Sequence, residues 1–358
     1  MVAGRVVSSV VQRQVRYVRP VPAPEAAGAV GAVYAQAAEE QRIVSPPVLL
    51  HSPAPPVLAA YWMLMREPLL ATGRAGRLAK EAVAAAVSVA NICPYCADMH
   101  STGMYDLSDA GDAEAIVADR VEQVRDDAVR QVAGWARSAH LADLPGAADA
   151  PFEEADRPEL VGVLVSFHYL TRMVNVFLAN FLLPPGLGPA ARRRLKQGIS
   201  RLLRPTLREP YPPGRSLPLL PPADLPADAR WAAGNPTVAA AVARSYAAFE
   251  AAGERTLAPA VRDRVLRRLD DWRGEETGLG RQWCEDLVAD LPAADRAAGR
   301  LALLTALASY QVDEEVVGEF RAHHPDDRSL VEAAAWASFV AARRVGSHHV
   351  PRARLAGR

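Results

Sequence analysis

Residues able to do redox or acid–base chemistry recur at fixed spacing in KEAVAAAVSVANICPYCADMH, residues 80–100. Glu81 precedes Cys93 by twelve positions, Cys96 lies three further on, and His100 four beyond that. On a helix, Cys93, Cys96 and His100 form one stripe, because positions three, four and seven apart stack on one face. His100 can then hydrogen-bond the Cys96 thiol and take its proton. Asn91 is an uncommon choice inside a helix, and Pro94 suits a first helical turn. One helix is therefore expected to end near Asn91 and another to begin around Cys93. That places both thiols at a helix N-terminus, where free N–H groups and the macrodipole favour thiolate and are expected to lower the thiol pKa.

Glu81 needs a partner. In one continuous helix it would lie about 22 Å from Cys96, at ~1.5 Å per residue. With a helix–turn–helix break near residues 90–91, Glu81 and His100 instead face each other across an antiparallel pair. From Ala82 to Ala90 the only polar residue is Ser88, so the carboxylate is costly to bury unless paired. The set then reads as a Glu–His–Cys relay: Cys96 attacks a peroxide, and Cys93 closes the resulting sulfenic acid into a disulfide. Zinc is a rival reading. Cys93, Cys96 and His100 supply three ligands, with Glu81 or Asp98 as a fourth. A thioredoxin-type site needs a strand before the motif, and an alanine-rich helical run stands there. The plainest alternative is two small buried hydrophobes.

The elements that must position these residues are helical. The chain has 358 residues, is 50% apolar and only 6% aromatic, a balance that favours helix over sheet. Formal charge is zero, from 41 basic and 41 acidic residues. No whole-chain basic footprint for nucleic acid exists. Three cysteines cannot form a disulfide scaffold, and a cytoplasmic location is expected. Residues 1–25 read as a flexible N-terminal tail. No apolar run is expected to span a membrane; the best candidate, Leu160 to Leu183, is interrupted by His168, Arg172 and Asn175. Helical spacing is expected at Ala60–Arg66, Ala75–Ile92, Ala113–His140, Leu160–Leu183 and Pro189–Leu203, with Pro184, Pro185 and Gly186 stopping the fourth. Eight prolines between Pro205 and Pro226 mark a linker or a surface-hugging connection, followed by more helices to about Val345.

A weak repeat links the halves. RAGRLAKEAVAAAVSVA (74–90) resembles RAAGRLALLTALASYQVD (296–313). At that offset Glu81 faces Leu304, Cys93 faces Val316, Cys96 faces Glu319 and His100 faces His323, so a duplicate would have lost its thiols. The expected organisation is a tail (1–25), a helical domain with the C-x-x-C site (26–204), a linker (205–226), a second, degenerate helical domain (227–346) and a C-terminal tail (347–358).

E-x11-C-x-x-C-x3-H, present as Glu81, Cys93, Cys96 and His100, resembles the signature of the AhpD-like alkylhydroperoxidases of the carboxymuconolactone decarboxylase superfamily. The resemblance is specific over about 20 residues and looser over 26–204. It implies an all-α, AhpD-like helical bundle that forms homo-oligomers. It implies reduction of alkyl or hydrogen peroxides, with catalytic Cys96, Cys93, His100 and Glu81, no bound cofactor or metal, and electrons from an external lipoyl-type or other dithiol partner. Some members carry a histidine between the cysteines; Tyr95 stands there here. A non-catalytic dithiol sensor or assembly protein of the same fold is the alternative.

Other polar residues have open roles. His168, Arg172 and Asn175 are read as a stripe lining the active-site pocket, an oligomer contact, or an internally satisfied network. His51 and Trp62 are read as core or pocket-shaping residues, Cys284 as an inert small residue, and His348–His349 as a solvated tail.

Overall fold

The computed structural model describes residues 14–141, 150–179, 182–183 and 186–351. The first thirteen residues of the expected N-terminal tail, the stop at Pro184 and Pro185, and residues 352–358 lie outside the described residues. The described chain is helical: α1 (Gly28–Glu40), α2 (Pro46–Leu50), α3 (Pro55–Met65), α4 (Arg77–Ala90), α5 (Pro94–Met104), α6 (Ala110–Val117), α7 (Asp127–Ser138), α8 (Arg157–Phe177) and α9 (Pro189–Arg208). Beyond the proline-rich segment come α10 (Pro236–Thr256), α11 (Pro259–Asp271), α12 (Gln282–Val288), α13 (Ala293–Ala308), α14 (Glu314–His323) and α15 (Asp327–Ser347). Among the described residues no strand forms; one isolated antiparallel bridge joins Val15 to Leu178. The all-α expectation holds.

α8 is the central rod, and all 21 of its residues are buried. By length and composition Glu154–Phe177 would suffice to cross a membrane, at a mean hydropathy of 1.4, but its apolar window is wholly buried by protein. Neighbouring helices cover it, α4 and α3 from the first half and α15 from the second. Where α15 meets α8 the backbones come close: a Cβ on Gly346 would stand 2.7 Å from Val165 Cγ2. One hydrophobic core cluster runs from Val18 to Val345. The proline-rich segment thus divides the chain but not its core.

That segment is strapped down. Thr72 N–H donates to the Tyr211 carbonyl at 2.8 Å, and the Tyr211 hydroxyl donates to the Glu40 carbonyl at 2.6 Å. Gly214 N–H donates to Glu67 at 2.7 Å. Glu67 and Glu40 in turn flank buried Arg66, each at 2.7 Å. Buried charges paired in this way are satisfied, where a lone one would be costly.

Several boundaries differ from the sequence expectation. Ala113–His140 is two helices, α6 and α7, because Asp119 takes a positive φ of 56° and ends the first. Asp126 then caps α7, its side chain accepting from Ala128 and Val129 N–H. α9 runs past Leu203 through Pro205 to Arg208; a proline in the last turn forfeits one backbone bond without breaking the helix. The described part of the expected N-terminal tail is tied to the end of α8, with Arg16 N–H donating to the Phe177 carbonyl at 2.7 Å. His349, expected in solvent, is buried and bonded to the Ala139 carbonyl at 3.1 Å, because α15 carries it onto the end of α7.

Candidate active site

The hairpin α4–α5 forms as the sequence predicts. Asn91 ends α4 as its C-cap, and Cys93 is the N-cap of α5, with Pro94 at the first helical position. Ile92 between them adopts a left-handed φ of 52°, which reverses the chain within a two-residue turn. Such a conformation costs a β-branched residue energy. Cys93 N–H donates back to the Ser88 carbonyl at 2.9 Å, which fixes the turn.

The reversal brings Glu81 to His100. His100 Nδ1 and Glu81 Oε2 are 2.7 Å apart. A carboxylate only accepts, so Nδ1 carries the proton and Nε2 is left free. Arg77 Nε donates to the other oxygen, Oε1, at 2.7 Å. Burial pushes the Glu81 carboxyl up, but the Arg77 guanidinium and the His100 imidazole outweigh it and hold it down at about 2. Phe167 of α8 presses edge-on against the imidazole, centroids 4.5 Å apart.

Cys96 and His100, four positions apart on α5, line one cavity of about 150 Å³ together with Glu81 and Arg77. Most of the wall is apolar, including Met65, Leu70, Met99 and Phe167, with Leu203 and Leu207 contributed by α9. α9 is anchored over α5 by buried charge: Lys196 Nζ lies 3.1 Å from Asp98 Oδ1 and 2.9 Å from Glu114 Oε1, and Arg192 also pairs with Asp98.

The thiols depart from the expectation in one respect. Both are buried, Cys93 at 1% and Cys96 at 2% exposure. Burial pushes the Cys96 thiol well above its ordinary value, and the adjacent Cys93 thiol adds to this. The helix N-terminus favours thiolate by only about 0.3–1 kcal/mol, so desolvation wins over the lowering expected from sequence. Cys96 therefore depends on a base to lose its proton, and His100 lies four positions on along the same helix.

Other candidates fall elsewhere. The two residues offered as a fourth zinc ligand are engaged, Glu81 by Arg77 and His100, Asp98 by Lys196 and Arg192. Among the described residues no group of three His, Cys, Asp or Glu is arranged to hold a metal. His51 and Trp62 do not line the cavity. His51 supports it indirectly: Tyr61, a wall residue, stacks on it with centroids 4.2 Å apart, while its ring nitrogens reach the Pro47 carbonyl at 2.6 Å and the Tyr169 hydroxyl at 2.8 Å. Burial pushes His51 down to about 3, so it is neutral. Cys284 is buried and far in sequence from the pair. His168, Arg172 and Asn175 do not line this cavity either. Arg77 was missed from sequence, though its four-residue spacing to Glu81 is the ordinary helical ion-pair signal.

A helical scaffold that sets one thiol of a C-x-x-C pair and a Glu–His couple against one largely apolar cavity defines a class of all-α dithiol proteins. No family model matches the chain. The alkyl hydroperoxide reductase Rv2159c of Mycobacterium tuberculosis is 36% identical to it over 333 residues, 93% of this chain and 94% of the relative. The chain belongs to the AhpD-like alkylhydroperoxidase family.

Proposed function

We propose that the protein is a thiol-dependent peroxidase working through Cys96 and Cys93. The observation that carries this reading is the shared cavity: Cys96, His100 and Glu81 border one largely apolar space, and a full-length relative is named an alkyl hydroperoxide reductase. His100 Nε2 takes the Cys96 proton, with the imidazolium stabilised by Glu81. The thiolate attacks the terminal oxygen of a hydroperoxide, the O–O bond breaks, and Cys96 becomes a sulfenic acid. The leaving alkoxide takes the proton from His100 and departs as the alcohol. The Cys93 thiol then displaces water from the sulfenic acid, forming the disulfide. An external dithiol of lipoyl type reduces it by exchange and is itself oxidised to a disulfide. The apolar walls favour an organic hydroperoxide over hydrogen peroxide. A homo-oligomeric state belongs to the same reading.

The test is intact mass on reduced protein before and after one equivalent of peroxide, with peptide mapping. Loss of two hydrogens mapped to Cys93–Cys96 is expected; unchanged thiols overturn the reading. A second reading, a dithiol sensor, is favoured by the near-complete burial of both sulfurs. Steady-state assay with a lipoyl donor separates the two, because a sensor oxidises once and turns over negligibly.

A further inference from the structure

Of the stripe His168–Arg172–Asn175 on α8, Arg172 lines a second cavity bordered by the Asn91–Ile92 turn, and the other two bond to Asn91 behind it. Asn175 Nδ2 donates to the Asn91 carbonyl at 3.0 Å, and Asn91 Nδ2 donates to His168 Nδ1 at 3.1 Å. Arg172 is 5% exposed and, among the described residues, has no ion-pair partner. Its Nε donates to the Ala306 carbonyl at 2.8 Å and its Nη1 to the His168 carbonyl at 2.5 Å. The end of α13 offers it a partial negative charge, but this occupies one edge of the guanidinium and leaves Nη2 without a hydrogen bond. Burial pulls the side chain down to about 10, which leaves it charged at neutral pH.

Arg172 lines a cavity of about 60 Å³ that shares no wall residue with the Cys96 cavity. Two other groups on its wall, His140 Nδ1 and Thr277 Oγ1, are buried without a hydrogen-bond partner. Two of the remaining wall charges are paired by residues outside the wall, Arg137 by Asp119 at 2.7 Å and Glu275 by Arg268 at 2.9 Å. Glu276 is exposed at the rim. A buried cation without a counter-ion, beside two unsatisfied neutral donors, is costly as it stands and is resolved by a negatively charged guest with several acceptor oxygens. We propose that this cavity binds a small oxyanion, a carboxylate or phosphate group, with Arg172 as its counter-charge and His140 and Thr277 as neutral donors.

The test uses the full chain in a Tris buffer at fixed ionic strength. Acetate and inorganic phosphate are titrated separately, followed by calorimetry and thermal unfolding. Saturable binding of at least one, with a midpoint temperature that rises with its concentration, is expected; which of the two binds identifies the guest chemistry. Arg172→Gln should weaken binding roughly tenfold to a hundredfold. If that variant fails to fold, Thr277→Val, in the more exposed wall, should still weaken it several-fold. Absence of saturable binding of either anion up to tens of millimolar overturns the proposal. So does binding unchanged in both variants. Binding that appears only in Glu276→Gln assigns Glu276 as an internal counter-charge and equally overturns it.

Discussion

Glu81 Oε2 and His100 Nδ1 meet at 2.7 Å across a two-residue turn, although nineteen positions separate them in the chain. The contact exists because Asn91 ends one helix, Ile92 reverses the backbone and Pro94 starts the next. It commits Nδ1 to the carboxylate and leaves Nε2 as the nitrogen available for proton transfer. Removing the carboxylate should therefore affect both stability and rate, with different pH signatures.

For stability, the Glu81 carboxyl sits at about 2 in the fold against about 4.3 in an unfolded chain. A depressed folded value contributes stability that is fully present above the unfolded value and is lost as pH falls through the folded one. Wild type should exceed Glu81→Gln by about 2–3 kcal/mol at pH 7, and the gap should close between about pH 4.3 and about pH 2. Urea denaturation of both across that range measures it; a gap that stays constant would mean the carboxylate charge is not what stabilises. Peroxide consumption by Glu81→Gln should fall by about a hundredfold.

The two cysteines should not be interchangeable. Cys96 lines the cavity with His100, whereas Cys93 caps the helix and does not line it. Cys96→Ser should abolish peroxide consumption. Cys93→Ser should consume one equivalent and hold Cys96 as a sulfenic acid, detectable by dimedone labelling. Equal activity in both variants would reverse or dissolve the assignment of roles.

Because burial pushes the Cys96 thiol up, wild-type protein should react slowly with iodoacetamide at pH 7. Alkylation should rise about tenfold per pH unit toward alkaline pH, as the thiolate fraction grows. His100→Ala should slow peroxide reduction at neutral pH, while alkylation still rises with pH as hydroxide in place of the imidazole removes the thiol proton. Fast alkylation at neutral pH would show that the helix N-terminus outweighs desolvation after all.

The helical class and the α4–α5 hairpin were legible because they rest on local signals: Asn91 and Pro94 punctuate the chain, and an isolated Glu81 in an alanine–valine run demands a partner. The weak repeat between the halves gives a register for comparing them. At that offset Arg300, aligned with Arg77, pairs with Glu319, aligned with Cys96. What the sequence did not carry was long-range. The walls supplied by Leu203 and Leu207 depend on α9 folding back over α5, and the burial of His349 depends on where α15 ends. The upward push on Cys96 likewise follows from how many neighbours enclose it, which spacing within one helix does not encode.

The closure of the cavity by α9 rests on Asp98, which is buried between Lys196 and Arg192. Asp98→Ala leaves the Lys196 ammonium buried with Glu114 as its remaining counter-charge, beside a hydrogen bond to the Ser101 hydroxyl. The expected loss is about 3–5 kcal/mol, and the α9 wall of the cavity should loosen with it. Hydrogen exchange along residues 189–208 should quicken in this variant more than along 77–90. Uniform quickening would mean that α9 is not a separately anchored wall.

Substrate preference gives the sharpest test of the cavity itself. Leu207 of α9 lines the cavity together with Cys96, its side chain beside Gly103 of α5. Leu207→Trp adds an indole to a space of about 150 Å³ without replacing Cys96, Cys93, His100 or Glu81. Hydrogen peroxide is small enough to reach Cys96 past it, whereas cumene hydroperoxide needs the volume that the indole takes. The ratio of kcat/KM for cumene hydroperoxide over hydrogen peroxide should drop at least about tenfold, a loss comparable to denying one well-packed apolar group its site. The reverse change, Leu207→Ala, should raise KM for cumene hydroperoxide while leaving hydrogen peroxide reduction near wild type. If both variants scale the two substrates equally, organic peroxides do not enter by this cavity, and the apolar walls serve packing alone.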